Sequence, residues 1–185
     1  FSLVPMIWGT LLTTVVAIVV AAPFGVAGAL FISEIAPDWL REIVKPAVEL
    51  LAGVPSIVYG FIGFTVINPY VGNLLSINPG ALFAIGLVIG FMALPTVISV
   101  AEDALSAVPE SMKDGSMAMG ATDWQTMKSV SIPTAFSGIS AAVLLGVGRA
   151  IGETMAATVM ISHSRRLPKP ELYNAFDSTE TLTTL

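Results

Sequence analysis

Three long stretches with almost no charged side chains dominate the pattern of apolar and polar positions along the chain. Residues 6–33 and 50–101 contain no Asp, Glu, Lys or Arg. A helix that crosses a membrane needs about 20 mainly apolar residues. The first stretch therefore suits one helix, and the second, of 52 residues, suits two. The third stretch, 134–162, contains only Arg149 and Glu153 as charged residues.

The segment "INPYVGNLLSINPG" at 67–80 divides the longest stretch, because its two Asn-Pro pairs and two glycines are typical of turns. The predicted spans are given together as 6–33, 50–68, 80–101 and 134–162. Their apolar residues are continuous instead of alternating, and backbone in lipid must be hydrogen-bonded internally, so we expect helices and not a barrel. The prediction is an all-α, polytopic transmembrane helical bundle, formed by a single domain over 1–185 in a lipid bilayer.

Composition supports a membrane protein and narrows the chemistry. Charged residues make up 11% of the chain, against about 25% in a soluble domain, and the mean hydropathy is +0.84.

The sequence contains no basic patch that would indicate a nucleic-acid partner. With no cysteine and only His163, the sequence predicts no metal site. No P-loop motif is present, so any ATP and Mg would bind to a separate chain. Glu102 and Asp103 end a span, and we expect both in water.

The connection 102–133 has the turn chemistry of two short helices. Pro109 suits the first turn of a helix, and Gly120 suits the left-handed conformation that ends one. Thr122 and Gln125 have the spacing of a capping box at the start of a second helix. Pro133 either ends that second helix or opens the next span. Two interpretations remain open: the helices pack on their own bundle, or they form a docking element for another protein.

Arg149 and Glu153 are unusual, because a charge near the centre of a span costs about 2.5–3.5 kcal/mol. Their spacing of four places them on one helix face, where they can pair. One interpretation is a structural ion pair. The other is a polar pathway, in which the planar guanidinium suits an anion such as phosphate or a carboxylate.

Two pairs of glycines have the GxxxG spacing, which indicates close packing between helices. The pairs are Gly86 with Gly90 and Gly148 with Gly152.

The segment "DGSMAMGATDWQTMKSVSIP" resembles the cytoplasmic signature of permeases from ABC importers. That signature is E-A-A, three residues, Gly, nine residues and I-x-L-P, and this chain keeps the spacing with conservative changes. The matching positions are Asp114, Gly115, Ser116, Gly120, Val130, Ile132 and Pro133. The resemblance implies that the loop 102–133 is a cytoplasmic coupling loop, which docks on a separate ATPase.

Two further segments, "ELLAGVPSIVYGFIG" (49–63) and "GVGRAIGETMA" (146–156), resemble the phosphate-importer permeases of the MetI-like superfamily. The resemblance implies a multi-pass permease subunit of the cell membrane, with no enzymatic site of its own, that moves inorganic phosphate. Arg149 and Glu153 would then take part in moving the substrate. The implied partners are a second, PstA-like permease subunit, a cytoplasmic ATPase dimer that binds ATP and Mg, and an extracytoplasmic phosphate-binding protein.

Such permeases usually have about six spans, so we expect this chain to be a fragment that contains four. The resemblance also implies that residues 34–49 are cytoplasmic, with 67–80 and 163–185 on the outside. Lys and Arg are nearly equally divided between the two sides, and charge alone therefore gives no orientation.

Other functions remain as alternatives. The same architecture could move another oxyanion, such as molybdate, sulfate or phosphonate. An ion-coupled secondary transporter could use Glu153 as a proton relay, but it would be expected to contain an internal repeat, and "GRAIGET" has no second copy. A membrane scaffold without transport activity would explain the spans but not the arginine inside one.

Overall fold

In this computed structural model of the chain, the structure describes residues 4–75 and 81–160. The predicted external tail 163–185, with His163, lies outside the described residues, as does part of the predicted turn 67–80. The described residues form these α-helices in chain order: α1 (Val4–Leu30), α2 (Asp38–Ala52), α3 (Ser56–Ile62), α4 (Asn68–Leu75), α5 (Leu82–Ser106), α6 (Glu110–Ala118), α7 (Asp123–Thr126), α8 (Ile132–Gly152) and α9 (Met155–Met160). Three π-helical turns extend them, at Phe31–Ile35, Gly63–Ile67 and Met127–Ser131. The predicted all-α class is confirmed.

Three helical segments in the described part of the chain are long and apolar enough to cross a membrane: Met6–Ile35, Leu82–Ser106 and Asp123–Gly152. The predicted span over 50–68 is different. Its first residues end α2, and the chain then bends by 91° before the helical segment Ser56–Gly72. The pair provides a fourth span only if the two bent pieces are counted as one.

The last span begins earlier than predicted, because helix continues from Asp123 through the π-helical turn into α8. Pro133 lies in the first turn of α8, and the preceding helix does not end there. Proline lacks an N–H and crowds the carbonyl four residues before it, so the wider turn Met127–Ser131 lets the helix pass this position without a break. The predicted span 134–162 is instead broken at Glu153, where the backbone becomes extended.

Helix α5 lies at the centre of the bundle and packs closely on α1. A Cβ placed on Gly86 would lie 2.6 Å from the Cβ of Val16, and one on Gly90 would lie 3.0 Å from the carbonyl oxygen of Ala17. The first GxxxG pair therefore allows two backbones to approach, as predicted. Further along α5, Val97 is fully buried between Gly25 of α1 and Gly146 of α8.

The second GxxxG pair behaves differently. A Cβ placed on Gly148 or on Gly152 would meet nothing within 4 Å among the described residues. Among the described residues, therefore, no helix packs along this edge of α8 and both glycines are exposed, so the approach of another helix there stays a prediction.

Charged residues at the end of α5 are joined to α2. Lys45 Nζ lies 2.5 Å from Glu102 Oε2 and 2.9 Å from Asp103 Oδ1. The side chain of Glu102 is only 3% exposed, and Ser106 donates to its other oxygen at 2.8 Å. The expectation that Glu102 lies in water is wrong, because Lys45 neutralises it inside the bundle. Hydrogen bonds to Glu102 and then Asp103 raise the pKa of Lys45, so its ammonium group stays charged.

Candidate functional site

Arg149 lies in the last turn of α8 and joins three helices. Its Nη1 donates to the hydroxyl oxygen of Thr96 in α5 at 2.7 Å, and its Nη2 donates to the carbonyl oxygen of Ala52 at 3.3 Å. Ala52 is the last residue of α2, where carbonyl groups have no partner within the helix. Among the described residues, these bonds use two of the five N–H groups of the guanidinium, which leaves three for another acceptor.

Glu153 does not pair with Arg149, since the described residues contain no ion pair between them. The residue follows the end of α8 in an extended conformation, with φ −76° and ψ 118°. Its Oε1 accepts the backbone N–H of Ala156 at 3.1 Å, which is the bond that a residue capping the start of a helix makes. The shared helix face expected from the spacing of four is lost, because the helix ends at Gly152.

The break at Glu153 lies beside the break between α2 and α3. Helix α3 packs on α9 so closely that a Cβ on Gly60 would lie 2.7 Å from the Cα of Ala156. Arg149 reaches from one broken helix to the other through the Ala52 carbonyl. Two interrupted helices and a half-buried guanidinium therefore meet in one place. In membrane transporters, interrupted helices commonly form the substrate site.

Sequence analysis missed both partners of Arg149. Thr96 is one of many small polar residues in apolar spans, and nothing in its neighbourhood marks it except the preceding Pro95. Ala52 contributes only a backbone carbonyl, which no side-chain pattern could reveal. The signal that existed was the Gly53–Pro55 turn chemistry, which indicates a helix end with free carbonyl groups.

The loop 102–133, which the resemblance identifies as a coupling loop, has the predicted helix, turn and helix. Gly120 has a φ of +90°. Its N–H donates to Met117 at 2.9 Å, and the N–H of Ala121 donates to Ser116 at 3.2 Å. This pair of bonds is the Schellman motif that ends α6. The predicted capping box is also present: Thr122 and Gln125 satisfy each other's backbone N–H groups at the start of α7.

The loop is held as one unit by a buried hydrogen bond of 3.0 Å between the hydroxyl groups of Ser116 and Thr126. Asp114 and Gly115 are exposed on α6, and Val130, Ile132 and Pro133 follow in the helix that begins at α7. Beside the loop lies a groove of about 250 Å³, whose lining residues include Lys113, Met117 and Trp124.

Two large apolar side chains of this loop are exposed. If the loop only packed on its own bundle, we would expect such side chains to be covered. Trp124 is 66% exposed and Met119 is 86% exposed, whereas Met127 is buried. An exposed tryptophan that lines a groove, with an exposed methionine in the same loop, is typical of a surface that binds a protein. Of the two interpretations that the sequence left open, the exposure of these side chains favours docking.

Comparison with known proteins places the chain in a family. Residues 21–182 match the family described as "binding-protein-dependent transport system inner membrane component". The probable ABC transporter permease protein YqgH of Bacillus subtilis is 42% identical over 186 residues, covering 100% of this chain and 59% of that protein. The phosphate transport system permease protein PstC of Haemophilus influenzae is 37% identical over 187 residues, covering 90% of this chain and 59% of PstC.

A third relative, the phosphate transport system permease protein PstC of Mesorhizobium japonicum, is 35% identical over 187 residues, covering 90% of this chain and 57% of that protein. The chain thus spans less than two thirds of the length of these relatives. The family match covers most of the chain, and three helical segments are able to cross a membrane. The chain therefore belongs to the family of binding-protein-dependent transport system inner membrane components, the MetI-like permeases, and is a membrane protein.

Proposed function

We propose that the chain is part of the permease subunit of an ATP-driven ABC importer that moves inorganic phosphate into the cell. The observation that carries this proposal is the position of Arg149, whose guanidinium lies where two interrupted helices meet. The names of two relatives, both phosphate transport system permease proteins, support phosphate as the substrate.

Phosphate fits the chemistry of the site. It carries one to two negative charges near pH 7, and its oxygens match the fork of a guanidinium in bidentate geometry. Arg149 is held at one end by the short bond to Thr96, and its weaker bond to the Ala52 carbonyl is 3.3 Å long. An arriving anion would replace the longer bond first, because a charged oxygen is a stronger acceptor than a carbonyl.

The role of Glu153 in this proposal differs from the pairing with Arg149 that its spacing predicts. Its carboxylate lies on the backbone of α9, so it shapes the break beside Arg149 and does not hold the guanidinium. It keeps the end of α9 in position, and its negative charge lies close to the path of an anion.

The partners follow from the same proposal. The exposed loop from Asp114 to Pro133 would dock on a cytoplasmic ATPase dimer, which would bind ATP and Mg. A second, PstA-like permease subunit would complete the membrane part, and an extracytoplasmic phosphate-binding protein would deliver the substrate. This chain would contribute no catalytic residue to ATP hydrolysis.

The test is uptake of radioactive phosphate into vesicles that contain the full-length subunit with its partners. We expect uptake that needs ATP, and we expect Arg149→Ala to abolish it while the ATPase still co-purifies. Arg149→Lys keeps the charge but not the fork, and should also transport poorly. Normal uptake by an assembled Arg149→Ala complex would contradict the role of Arg149.

The same vesicles separate the alternatives. Molybdate, sulfate and phosphonate are tested as competitors, and a permease for one of these oxyanions would take it up in preference to phosphate. An ion-coupled transporter would take up substrate in response to a pH gradient without ATP. Either result would replace the phosphate-importer proposal.

A further inference from the structure

Helix α2 is attached at its first turn to the end of α1. Arg41 donates from Nε to the carbonyl oxygen of Ile32 at 2.9 Å, and from a terminal nitrogen to the carbonyl of Ser33. Both carbonyls belong to the π-helical turn Phe31–Ile35. A cation at the end of a helix stabilises carbonyl groups that have no partner within the helix. Arg41 therefore joins this turn to α2.

The same π-helical turn is joined to the coupling loop. Lys113 in α6 lies 2.7 Å from Glu34 in the turn, although the residues are 79 positions apart. Their side chains are only 21% and 11% exposed. Such a pair is less screened by water and salt than a pair on the surface. The end of α1 is therefore held by the coupling loop on one side and by α2 on the other.

The far end of α2 contacts the substrate site, because the carbonyl of Ala52 accepts the bond from Arg149. A helix of this length, 15 residues, is about 22 Å long. Lys45, in the middle of α2, is anchored to Glu102 and Asp103 at the end of α5. The helix thus has a fixed point in its middle and a contact at each end.

We propose that α2 is a lever that couples the coupling loop to Arg149, with Lys113, Glu34 and Arg41 as the positioning residues at its driven end. The inference rests on the proposed function, since it takes the coupling loop to bind the ATPase and Arg149 to bind the anion. A displacement of α6 would move the Phe31–Ile35 turn and then turn α2 about Lys45. The Ala52 carbonyl would leave or approach the guanidinium, and so control when Arg149 can bind an anion.

Every step of this path is a hydrogen bond or an ion pair, and α2 is one continuous helix with Pro46 inside it, next to Lys45. A double-mutant cycle measures the coupling along this path. The pair Lys113–Glu34 is the step to cut, because neither residue contacts the guanidinium; both line the groove beside the coupling loop, so binding of the ATPase is measured for each variant.

The first experiment uses the reconstituted complex of the full-length chain with its partners, and measures phosphate taken up per ATP hydrolysed. We expect Glu34→Gln and Lys113→Gln each to lower this ratio about fivefold or more while the ATPase remains bound. The double variant should be no worse than either single variant. Exchange of the two charges, Glu34→Lys with Lys113→Glu, should restore part of the ratio.

Glu42→Gln provides the matched control, because Glu42 is exposed on α2 next to Arg41. It should leave the ratio unchanged. The lever proposal would be overturned if Glu34→Gln or Lys113→Gln left the ratio of phosphate to ATP unchanged. It would also be overturned if the losses of the two single variants added up in the double variant.

The second experiment observes α2 itself. These 185 residues contain no cysteine, so in a full-length subunit with any cysteine elsewhere replaced, Leu50→Cys, at a position that is 76% exposed, introduces a single labelling site. With cysteine-free partners, we expect ATP to change the mobility of a spin label there, and Glu34→Gln to remove that change. The same ATP-dependent change in both backgrounds would overturn the lever.

Arg149→Ala distinguishes the two proposals. It should abolish phosphate uptake while the ATP-dependent change at the label persists, because the driven end of α2 is intact. If the unmodified complex does not transport phosphate, the proposed function fails, and the label still shows whether α2 follows the coupling loop.

Discussion

Arg149 in α8 donates to the hydroxyl of Thr96 in α5 at 2.7 Å, across 53 positions of the sequence. This bond fixes one end of the guanidinium and leaves the other end to the weaker contact with Ala52. Thr96 is therefore a positioning residue for the proposed anion contact, and the chain gives a direct way to test it.

We expect Thr96→Val to lower phosphate uptake about tenfold, because a hydrogen bond to a charged group contributes roughly 1.5–3 kcal/mol. Thr96→Ser keeps the hydroxyl and should retain most of the uptake. Thr65→Val is the matched control, since the Thr65 hydroxyl is exposed and donates to Phe61 within its own helix. Equal uptake by the two valine variants would show that Thr96 does not position Arg149.

Glu153→Ala removes the cap of α9. We expect it to lower the free energy of unfolding by about 1 kcal/mol, the usual contribution of a helix cap. Glu153→Asn can still accept the Ala156 N–H and should lose less. Thermal unfolding of the purified complex measures both variants. If the alanine and asparagine variants are equally stable, the bond to Ala156 contributes nothing to the free energy of unfolding, and Glu153 has another role.

The two GxxxG pairs should respond oppositely to alanine. Gly86→Ala puts a Cβ 2.6 Å from Val16 and 3.0 Å from the carbonyl of Thr13, so we expect a loss of about 1–3 kcal/mol of stability. Gly148→Ala meets open space inside α8, so it should be neutral or stabilising for the chain. Unfolding of each variant in detergent by denaturant provides the comparison. A destabilised Gly148→Ala complex, with a stable isolated chain, would indicate that a partner subunit packs on this edge.

Gly120 and Gly115 also form a matched pair, since a Cβ on either would meet nothing within 4 Å. Only Gly120 has a positive φ, of +90°. Gly120→Ala should therefore cost about 1 kcal/mol through backbone strain, whereas Gly115→Ala, inside α6, should be neutral or stabilising. The midpoint of thermal unfolding tests this difference. Equal losses of stability in both variants would mean that the left-handed conformation of Gly120 does not account for its effect.

Local sequence signals predicted the local structure well. The long apolar stretches became helices because a helix satisfies its own backbone hydrogen bonds in an apolar environment. The helix ends in the loop 102–133 were predicted correctly from Gly120, Thr122 and Gln125. These residues set backbone geometry or bond to backbone groups only a few positions away, so the local sequence is enough to identify them.

The errors have a common physical cause. The break at Glu153 was missed because a long apolar stretch does not indicate where a helix ends. Glu102 was placed in water because its neutralising partner, Lys45, is 57 positions away. Arg149 was paired with Glu153 by spacing, although the partners it has are Thr96 and Ala52.

Hydropathy and turn chemistry in the sequence alone indicate a helical membrane protein with a capped helix–turn–helix in the loop 102–133 and an arginine inside a predicted span. Those properties depend on hydropathy and on short-range backbone bonding. Which groups surround Arg149, and which contacts join α2 to the loop 102–133, became clear from the packing of the helices. Contacts between residues 50 to 100 positions apart are set by the packing of whole helices, and no local pattern contains that information.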